Sequence, residues 1–274
     1  MALRVIPVVE SRFKLDGGAM FGVVPKTLWS RGAPADDENR VQLVCRVLVV
    51  VYDDGRLAVV DAGIGESWSG KDRAIYRLEP AGGLSTALAR LGRSSGDVTD
   101  VILTHLHFDH AAGIVRPDGS LRFARATHHV QKANLAYARK PSAKDEASYR
   151  PETIEALEGA RLRVLDGPGE VLPGIHARLS NGHTKGLQVI SIDSTSGLIV
   201  FASDLIPTRA HVHLPWLMAY DNHPLKVIAE KDALFFHCAV EKATLVLAHD
   251  PEVAAVRVGF QGDRWLAMAV DLPA

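Results

Sequence analysis

The segment Thr104-His105-Leu106-His107-Phe108-Asp109-His110 decides how this sequence is interpreted. It follows directly on the apolar run Val98–Leu103, which predicts a buried β-strand. Three imidazoles and one carboxylate within a single turn are the nitrogen and oxygen donors that Zn, Mn or Fe(II) accept. A short turn after a strand can direct alternating side chains toward two adjacent positions. The segment therefore predicts a metal site at the end of a strand.

Four other predicted strands also end at, or run into, a side chain that can bind a metal. These strands are Leu57–Asp61, Ile175–Leu179, Leu198–Ala202 and Thr244–Ala248. The corresponding side chains are Asp61, His183, Asp204 and His249. Alone, Asp204 or His249 could instead cap a helix or complete a turn. Ligand sites in α/β proteins gather where loops leave one edge of the strands, so we expect these residues to converge on the histidine-rich segment.

Strand-like and helix-like segments alternate along the whole chain. The turn Asp53-Asp54-Gly55 predicts a hairpin between two apolar runs. We predict helices over Leu84–Leu91, His129–Arg139, Pro151–Leu157 and Pro224–Phe236, and further strands over Leu43–Tyr52, Arg161–Leu165 and Leu187–Ile192. No low-complexity tract or Pro/Gly/Ser-rich linker divides the chain. This pattern predicts one α/β domain over residues 1–274, with two sheets between outer helices.

Composition excludes several classes of protein. Hydrophobic residues make up 47% and charged residues 23% of the chain, which is typical of a globular protein and not of a disordered one. The net charge of -1 gives no field that favours nucleic acid or a membrane surface, so we expect neither partner. Two cysteines are too few for a disulfide scaffold. The run Val5–Val9 is too short for a signal peptide, and Val41–Tyr52 is too short to span a membrane, so we expect a cytoplasmic protein.

The ordered series of these motifs resembles the metallo-β-lactamase-fold hydrolase superfamily. The resemblance rests on the HxHxDH motif at His105–His110, on Gly182-His183-Thr184, on Asp204 and on His249. It implies an αββα sandwich of two mixed β-sheets flanked by helices, and two divalent metal ions, with Zn expected and Mn, Fe or Co as alternatives. The implied ligands are His105, His107 and His183 for one ion and Asp109, His110 and His249 for the other, with Asp204 bridging both and Asp61 orienting a ligand from behind.

Such a pair of ions would account for hydrolysis without a serine or cysteine nucleophile. Two divalent ions that share a carboxylate lower the pKa of a bridging water and supply hydroxide near neutral pH. One ion also polarises the substrate oxygen, and the other stabilises the departing oxygen. Asp109 and Asp204 could additionally orient or transfer the proton, so they are the predicted catalytic residues.

Within the superfamily the sequence is most similar to N-acyl-homoserine-lactone lactonases, the quorum-quenching enzymes. The similarity rests on Leu15–Pro25, Thr104–Gly113, Gly182–Gly186 and Ser203–Thr208. It implies hydrolysis of a small-molecule lactone or related ester, and it implies a homodimer. Well-known members carry a tyrosine three residues after the bridging aspartate, whereas this chain has Pro207 there. The next tyrosine along the chain is Tyr220. Because the usual position holds Pro207, the similarity identifies the substrate less firmly than it identifies the metal ligands.

Three alternatives stay open. Enzymes similar to methyl parathion hydrolase share the ligands and also follow the bridging aspartate with an apolar, proline-containing loop, so a phosphotriester is the first alternative substrate. Glyoxalase II shares the dinuclear ligand set, so a thioester is another. A metal-binding sensor without turnover is a different class, because fold and metal do not guarantee activity. Periplasmic β-lactam hydrolysis is disfavoured because no export signal is visible.

Side chains near the motifs are candidates for the wall of a substrate pocket. These candidates are Met20, Phe21, Phe108, Trp216, Met218 and Tyr220, each with core packing as the alternative. His211 and His213 alternate in a predicted extended segment, so either could approach the metals. His128 and His129 are expected at the start of a helix or on the surface.

Overall fold

Two β-sheets packed face to face form the centre of the protein, whose computed structural model describes residues 2–272. The first sheet has six strands in chain order, and its strands are β1 (Leu3–Asp16), β2 (Arg40–Tyr52), β3 (Leu57–Val60), β4 (Asp100–Ile102), β5 (Thr127–Gln131) and β6 (Arg161–Leu165). Strands β1, β2 and β3 pair antiparallel, and β3 to β6 pair parallel. The sheet is therefore mixed.

The second sheet has seven strands. These strands are β7 (Gly169–Leu172), β8 (Ile175–Ser180), β9 (Leu187–Ser194), β10 (Gly197–Phe201), β11 (Thr244–Val246), β12 (Ala255–Gln261) and β13 (Arg264–Val270). The spatial order runs from β13 through β10 to β7, and only the pair β10–β11 is parallel. This sheet is mixed as well.

Helices cover the outer faces of both sheets. The helices of the described residues are α1 (Gly17–Phe21), α2 (Lys26–Trp29), α3 (Gly70–Tyr76), α4 (Gly83–Arg90), α5 (Phe108–Ala111), α6 (Lys132–Ala138), α7 (Pro151–Glu158) and α8 (Pro224–Val240). Leu84 of α4 packs in one apolar cluster with Val59 and Val101 of the first sheet. Phe235 of α8 packs with Val256 of the second sheet.

A third apolar cluster lies between the sheets and completes the layers. It joins Leu48 and Ile102 of the first sheet to Ile190, Phe201 and Val246 of the second. The Val and Leu residues of β2 face helices on one side and this cluster on the other, which explains why β2 is buried along most of its length. The order of layers is helix, sheet, sheet, helix, so the predicted αββα sandwich is confirmed.

One predicted helix begins in the wrong place. The segment Thr127–Gln131 is a parallel strand between β4 and β6, and the helix that follows covers only Lys132–Ala138. Its polar sequence Thr-His-His-Val-Gln conceals the strand, because no apolar alternation marks it. His128 and His129 are therefore buried in the sheet and not exposed at a helix start.

Strand ends position the polar motifs at one edge of the sandwich. Asp61 follows β3, the segment from Thr104 follows β4, and His183 follows β8. Asp204 follows β10, and His249 follows the neighbouring parallel strand β11. Among the described residues, no helix combines the length and the apolar character that crossing a membrane requires.

Candidate metal centre

Two groups of four side chains converge at this edge. The first group is His105, His107, His183 and Asp204, and the second is Asp109, His110, Asp204 and His249. Within each group the ligand atoms all lie within 4.8 Å of one another. Every one of these residues is buried. The structure therefore brings together the seven residues that the motifs singled out as ligands.

Asp204 belongs to both groups and presents one carboxylate oxygen to each. Its Oδ2 lies 3.2 Å from Nε2 of His183 and 3.8 Å from Nε2 of His105. Its Oδ1 lies 2.8 Å from Nε2 of His249 and 3.1 Å from Nε2 of His110. A carboxylate arranged in this way can bind two cations side by side.

The ligand atoms fit a divalent cation better than they fit hydrogen bonds to one another. Nε2 of His105 is buried and has no hydrogen-bond partner among the described residues. Nε2 of His110 and Nε2 of His249 face each other at 3.0 Å. Two nitrogens bound to one tetrahedral Zn²⁺ lie about 3.3 Å apart, given bond lengths of roughly 2.0–2.1 Å. Because a buried polar atom without a partner is unfavourable, Nε2 of His105 is suited to bind a cation, and the facing Nε2 atoms of His110 and His249 are suited to share another.

Hydrogen bonds behind the imidazoles select which nitrogen faces the centre. Nδ1 of His110 donates to Oδ2 of Asp61 at 2.8 Å, and Nδ1 of His249 donates to the carbonyl oxygen of Val44 at 2.8 Å. A carbonyl or carboxylate oxygen can only accept, so each Nδ1 carries the proton. Each Nε2 then keeps its lone pair free for a metal.

Asp61 therefore lies directly behind a ligand. Its carboxylate also accepts from the backbone N–H of Thr104 at 2.7 Å and from the Thr104 hydroxyl at 2.8 Å. Its φ angle is +60°, a left-handed conformation that is unusual outside glycine. Ser203, the residue before Asp204, has a φ angle of +50°. Two strained residues thus lie beside the ligands, as is common at functional sites.

Asp221 supports a third imidazole, and no motif pointed to it. Its Oδ1 accepts from Nδ1 of His183 at 2.9 Å, and its Oδ2 accepts from the backbone N–H of Met218 at 2.9 Å. The carboxylate is buried. The only signal in the sequence was an aspartate in the turn-rich stretch after Trp216, and that signal does not identify its partner.

Burial and neighbouring charges shift the pKa values of the ligands. Burial lowers the pKa of His105 and of His107 well below the usual range, and neighbouring imidazoles add to the effect. These two rings are therefore neutral and able to bind a cation. Burial also disfavours charge on His110, but the surrounding carboxylates, Asp204 first, outweigh it and raise the pKa of that imidazole. Burial opposes ionisation of Asp204 as well, yet the adjacent imidazoles hold the pKa of its carboxyl well below the usual range.

A cavity of about 160 Å³ lies against the ligands and is the candidate substrate pocket. Of the candidates for its wall, the residues that line it are Met20, Phe108, Met218 and Tyr220. Tyr76, Lys144 and Ser148 also line it, although no motif pointed to them. Nζ of Lys144 donates to the carbonyl oxygen of Tyr220 at 2.9 Å and so joins two walls of the cavity.

The other three candidates do not line this cavity. Phe21 and Trp216 line a second, larger one. His211 lies in a 3₁₀ turn over Arg209–Val212, so the prediction of an extended segment is wrong. Its Nε2 donates to the carbonyl oxygen of Met20 at 2.9 Å, and its ring stacks on Phe21. His211 therefore connects the loop after Asp204 to α1 and does not face the ligands.

Comparisons with known proteins agree with this geometry. The family described as the metallo-beta-lactamase superfamily matches residues 42–252. An N-acyl homoserine lactonase from Bacillus cereus is 26% identical over 155 residues, which cover 56% of this chain and 56% of that protein. The chain thus spans little more than half the length of this relative.

Two solved structures are similar over nearly the whole chain. A probable metal-dependent hydrolase from Staphylococcus aureus has a TM-score of 0.89 and 28% identity, covering 99% of this chain and 98% of that chain. The dizinc quorum-quenching lactonase AidC, in complex with the product N-hexanoyl-L-homoserine, has a TM-score of 0.81 and 19% identity, covering 99% of this chain and 96% of that chain; this likeness is one of fold. The family match covers more than half of the chain and includes all seven residues of the two groups, so the chain belongs to the metallo-beta-lactamase superfamily.

Proposed function

We propose that the protein is a dinuclear metal-dependent hydrolase that cleaves a lactone or a related ester, with an N-acyl homoserine lactone as the first candidate substrate. The observation that carries the proposal is the position of Asp204, whose two oxygens face two different groups of ligands. A site for a single cation would not need this second group. The shared carboxylate therefore supports a pair of ions.

The seven side chains of the two groups would hold two divalent cations, Zn²⁺ first and otherwise Mn, Fe or Co. When bound, such cations supply Lewis acidity, which activates water and polarises a substrate carbonyl. Asp61, Asp221 and the Val44 carbonyl keep three of the imidazoles in the orientation and tautomer that metal binding requires.

Asp109 and Asp204 are the proposed catalytic carboxylates. Both face the cavity as well as the imidazoles, which supports a role for both in orienting an attacking water and taking up its proton. Oδ2 of Asp109 lies 3.5 Å from Nε2 of His249. Asp109 is 8% exposed and Asp204 is 6% exposed, whereas the ligand His105 has no exposed surface.

The walls of the cavity support a small, partly apolar substrate. Met20, Phe108 and Met218 provide apolar surface against which an acyl group or ring can lie. Burial, followed by the negative charge of Asp109, raises the pKa of the Tyr220 phenol. Tyr220 therefore keeps its proton near neutral pH and can donate a hydrogen bond to a substrate carbonyl.

Pro207 occupies the position at which lactonases of this kind carry a tyrosine, and it has a structural role instead. Its carbonyl oxygen accepts from the backbone N–H of His249 at 2.9 Å, which holds the strand end that carries this ligand. We propose that Tyr220, reaching the cavity from a later turn, provides the phenol. The lactone is preferred as substrate because the relatives named above are lactonases by name.

The test is a substrate panel with protein reconstituted separately with Zn, Mn, Co and Fe. The panel contains an N-acyl homoserine lactone, an aryl ester, a thioester and a phosphotriester, and kcat/KM is measured for each. We expect metal-dependent turnover with the lactone preferred. A preference for the phosphotriester would favour an organophosphate hydrolase instead. A fully metallated but inert protein would favour a metal-binding sensor.

A matched pair of variants tests the residues that carry the proposal. Asp204→Asn removes the shared carboxylate, so we expect it to lose both metal and turnover. Asp100→Asn is the control, since Asp100 forms another carboxylate–imidazole pair, 2.7 Å from Nε2 of His129, outside the centre. It should keep the metal content and activity of the wild type.

A further inference from the structure

A second cavity in the described part of the chain is larger than the one beside the metal ligands. It has a volume of about 560 Å³ and lies between α1, the segment Gly32–Pro34, the loop around Thr208–Trp216 and strand β13. A volume of roughly 300–1,000 Å³ is typical of sites that bind small molecules. The proposed hydrolysis does not use this cavity.

Aromatic side chains form much of its wall. Phe21 stacks on Trp29 with ring centroids 5.0 Å apart, and it meets Trp216 edge to face at 5.9 Å. Trp265 of β13 contributes a third indole ring. Flat aromatic rings and aliphatic chains pack favourably against such surfaces. The wall therefore suits a ligand with a flat, apolar body.

One cation on the wall has no partner. Among residues 2–272, the Arg12 side chain forms neither a hydrogen bond nor an ion pair, although it is half-buried at the cavity. The other charged groups on the wall are compensated. Arg209 lies 3.6 Å from Glu252, and the Asp250 carboxylate accepts backbone N–H groups from Arg209, Glu252 and Val253.

A single free guanidinium selects a single carboxylate. Its planar fork can donate two parallel hydrogen bonds to the two oxygens of a carboxylate. A phosphate with two negative charges would need further donors, and Arg12 is the one unpartnered cation among the described residues of this wall. We propose that this cavity binds an amphipathic carboxylate, with the carboxylate paired to Arg12 and a flat apolar body lying against the aromatic wall, which includes Trp216 and Trp265.

The site lies beside the candidate substrate pocket but is separate from it. Met20 lines both cavities, and its main chain is held by the hydrogen bond from His211. A ligand in the larger cavity would contact one side of Met20, while a substrate would contact the other. Arg12 lies on the wall of the larger cavity only.

The experiment uses 2-naphthoate as the probe and the metal-loaded protein. Three of the four tryptophans, Trp29, Trp216 and Trp265, line the cavity, so binding should quench the intrinsic fluorescence in a saturable manner. The uncharged 2-naphthamide is the control ligand. We expect Arg12→Gln to weaken binding of 2-naphthoate about tenfold or more and to leave binding of 2-naphthamide unchanged. Arg12→Lys, which keeps the positive charge, should restore part of the lost affinity for 2-naphthoate.

A second variant keeps the test independent of Arg12. Ala33 lines the cavity, so Ala33→Phe should fill it and weaken binding of both probes, whereas Ala89→Phe on the exposed face of α4 should not. If neither probe binds, or if Arg12→Gln and Ala33→Phe bind 2-naphthoate like the wild type, the proposal is wrong. The second of these results would indicate that the carboxylate binds at the metals. Light scattering tests whether the cavity is instead an interface between two copies of the chain. If the wild type is a dimer that Ala33→Phe dissociates, and no probe binds, the cavity serves self-association and the proposal is wrong.

Discussion

Oδ1 of Asp221 lies 2.9 Å from Nδ1 of His183, and this hydrogen bond turns Nε2 of His183 toward the Asp204 carboxylate. Loss of such a partner typically weakens metal binding about 10- to 100-fold, because the ring is no longer held in one orientation and tautomer. We therefore expect Asp221→Ala to weaken the binding of at least one cation by that factor. Competition with a chromogenic chelator measures the change. Asn222→Ala, at the neighbouring position, should bind metal like the wild type; equal affinities in Asp221→Ala would show that the contact is dispensable.

Removal of metal should destabilise the folded chain. The two groups of ligands are buried, and without cations they leave Nε2 of His105 unpaired and the Nε2 atoms of His110 and His249 facing each other. A ligand that binds only the folded state at 100 times its Kd stabilises it by about 2.7 kcal/mol. We expect a lower Tm after chelation and recovery on adding Zn²⁺. The variant Asp204→Asn is the control and should show little response to chelation. An identical Tm with and without metal in the wild type would contradict the assignment of the centre.

The Tyr220 hydroxyl gives a prediction about turnover alone. Tyr220→Phe keeps the ring and removes the proposed hydrogen bond to the substrate. We expect kcat/KM for a lactone to fall about tenfold, since one hydrogen bond contributes roughly 1–1.5 kcal/mol. Metal content, measured by elemental analysis, should stay unchanged because Tyr220 belongs to neither ligand group. Tyr76→Phe, on the same cavity, tests whether any phenol there has this effect. If Tyr76→Phe matches or exceeds the effect of Tyr220→Phe, the role belongs elsewhere.

The ligand set could be predicted because each ligand follows a strand. Asp204 and His249 come after β10 and β11, which are parallel neighbours, so their strand ends meet at one edge of the sheet. An apolar run followed by a single polar residue is visible without knowledge of the partner strands. The same reasoning predicted that Asp61 would converge on the centre, whereas its position behind a ligand was implied only by the family resemblance. Local sequence was sufficient here because the topology repeats the same strand-to-loop geometry.

Residues placed by tertiary contacts could not be predicted. Asp221 reaches His183 through an irregular loop, and no period or spacing connects these two positions. The long strand β1 was missed, because Glu10 and Arg12 interrupt its apolar pattern. Glu10 is nevertheless buried, where it pairs with Arg122 at 2.6 Å. Buried ion pairs of this kind conceal a strand from any argument based on hydrophobicity.

The buried imidazole of His128 predicts a loss of stability in acid. Burial, followed by the nearby His129 ring, lowers the pKa of His128 from 6.5 to about 4 in the folded chain. The unfolded chain therefore takes up this proton first, and the free energy of unfolding falls as pH drops from about 6.5 to about 4. The full effect is about 3 kcal/mol, since each pKa unit corresponds to about 1.4 kcal/mol.

Urea unfolding of wild type and His128→Phe at several pH values measures this contribution. We expect the wild type to lose stability relative to the variant as the pH is lowered, and the two stabilities to run parallel above about pH 7. His176→Phe is the control, because His176 is exposed on β8. A constant difference between wild type and His128→Phe across the range would mean that His128 does not titrate in this way.

Lys231 of α8 holds a loop whose residues contribute to the walls of both cavities. Its buried Nζ donates to the carbonyl oxygens of His213, Leu214 and Trp216 at 2.8, 3.2 and 2.9 Å. Lys231→Met fills similar space but leaves these three carbonyls without their donor. We expect the free energy of unfolding to fall by about 2–4 kcal/mol, because each buried carbonyl that loses its partner costs about 1–3 kcal/mol and part of this is recovered from water.

A second lysine on α8 provides the control for the Lys231→Met variant. Lys226→Met replaces an exposed lysine of the same helix and should alter stability by less than about 0.5 kcal/mol.

Burial lowers the pKa of Lys231 to about 7, with Asp221 opposing the shift, whereas an unfolded lysine titrates near 10.5. Between those values the unfolded chain binds the extra proton, so stability rises with pH from about 7 to 10.5 in the wild type. This rise should be absent in Lys231→Met, and a variant that keeps it would show that another group titrates there.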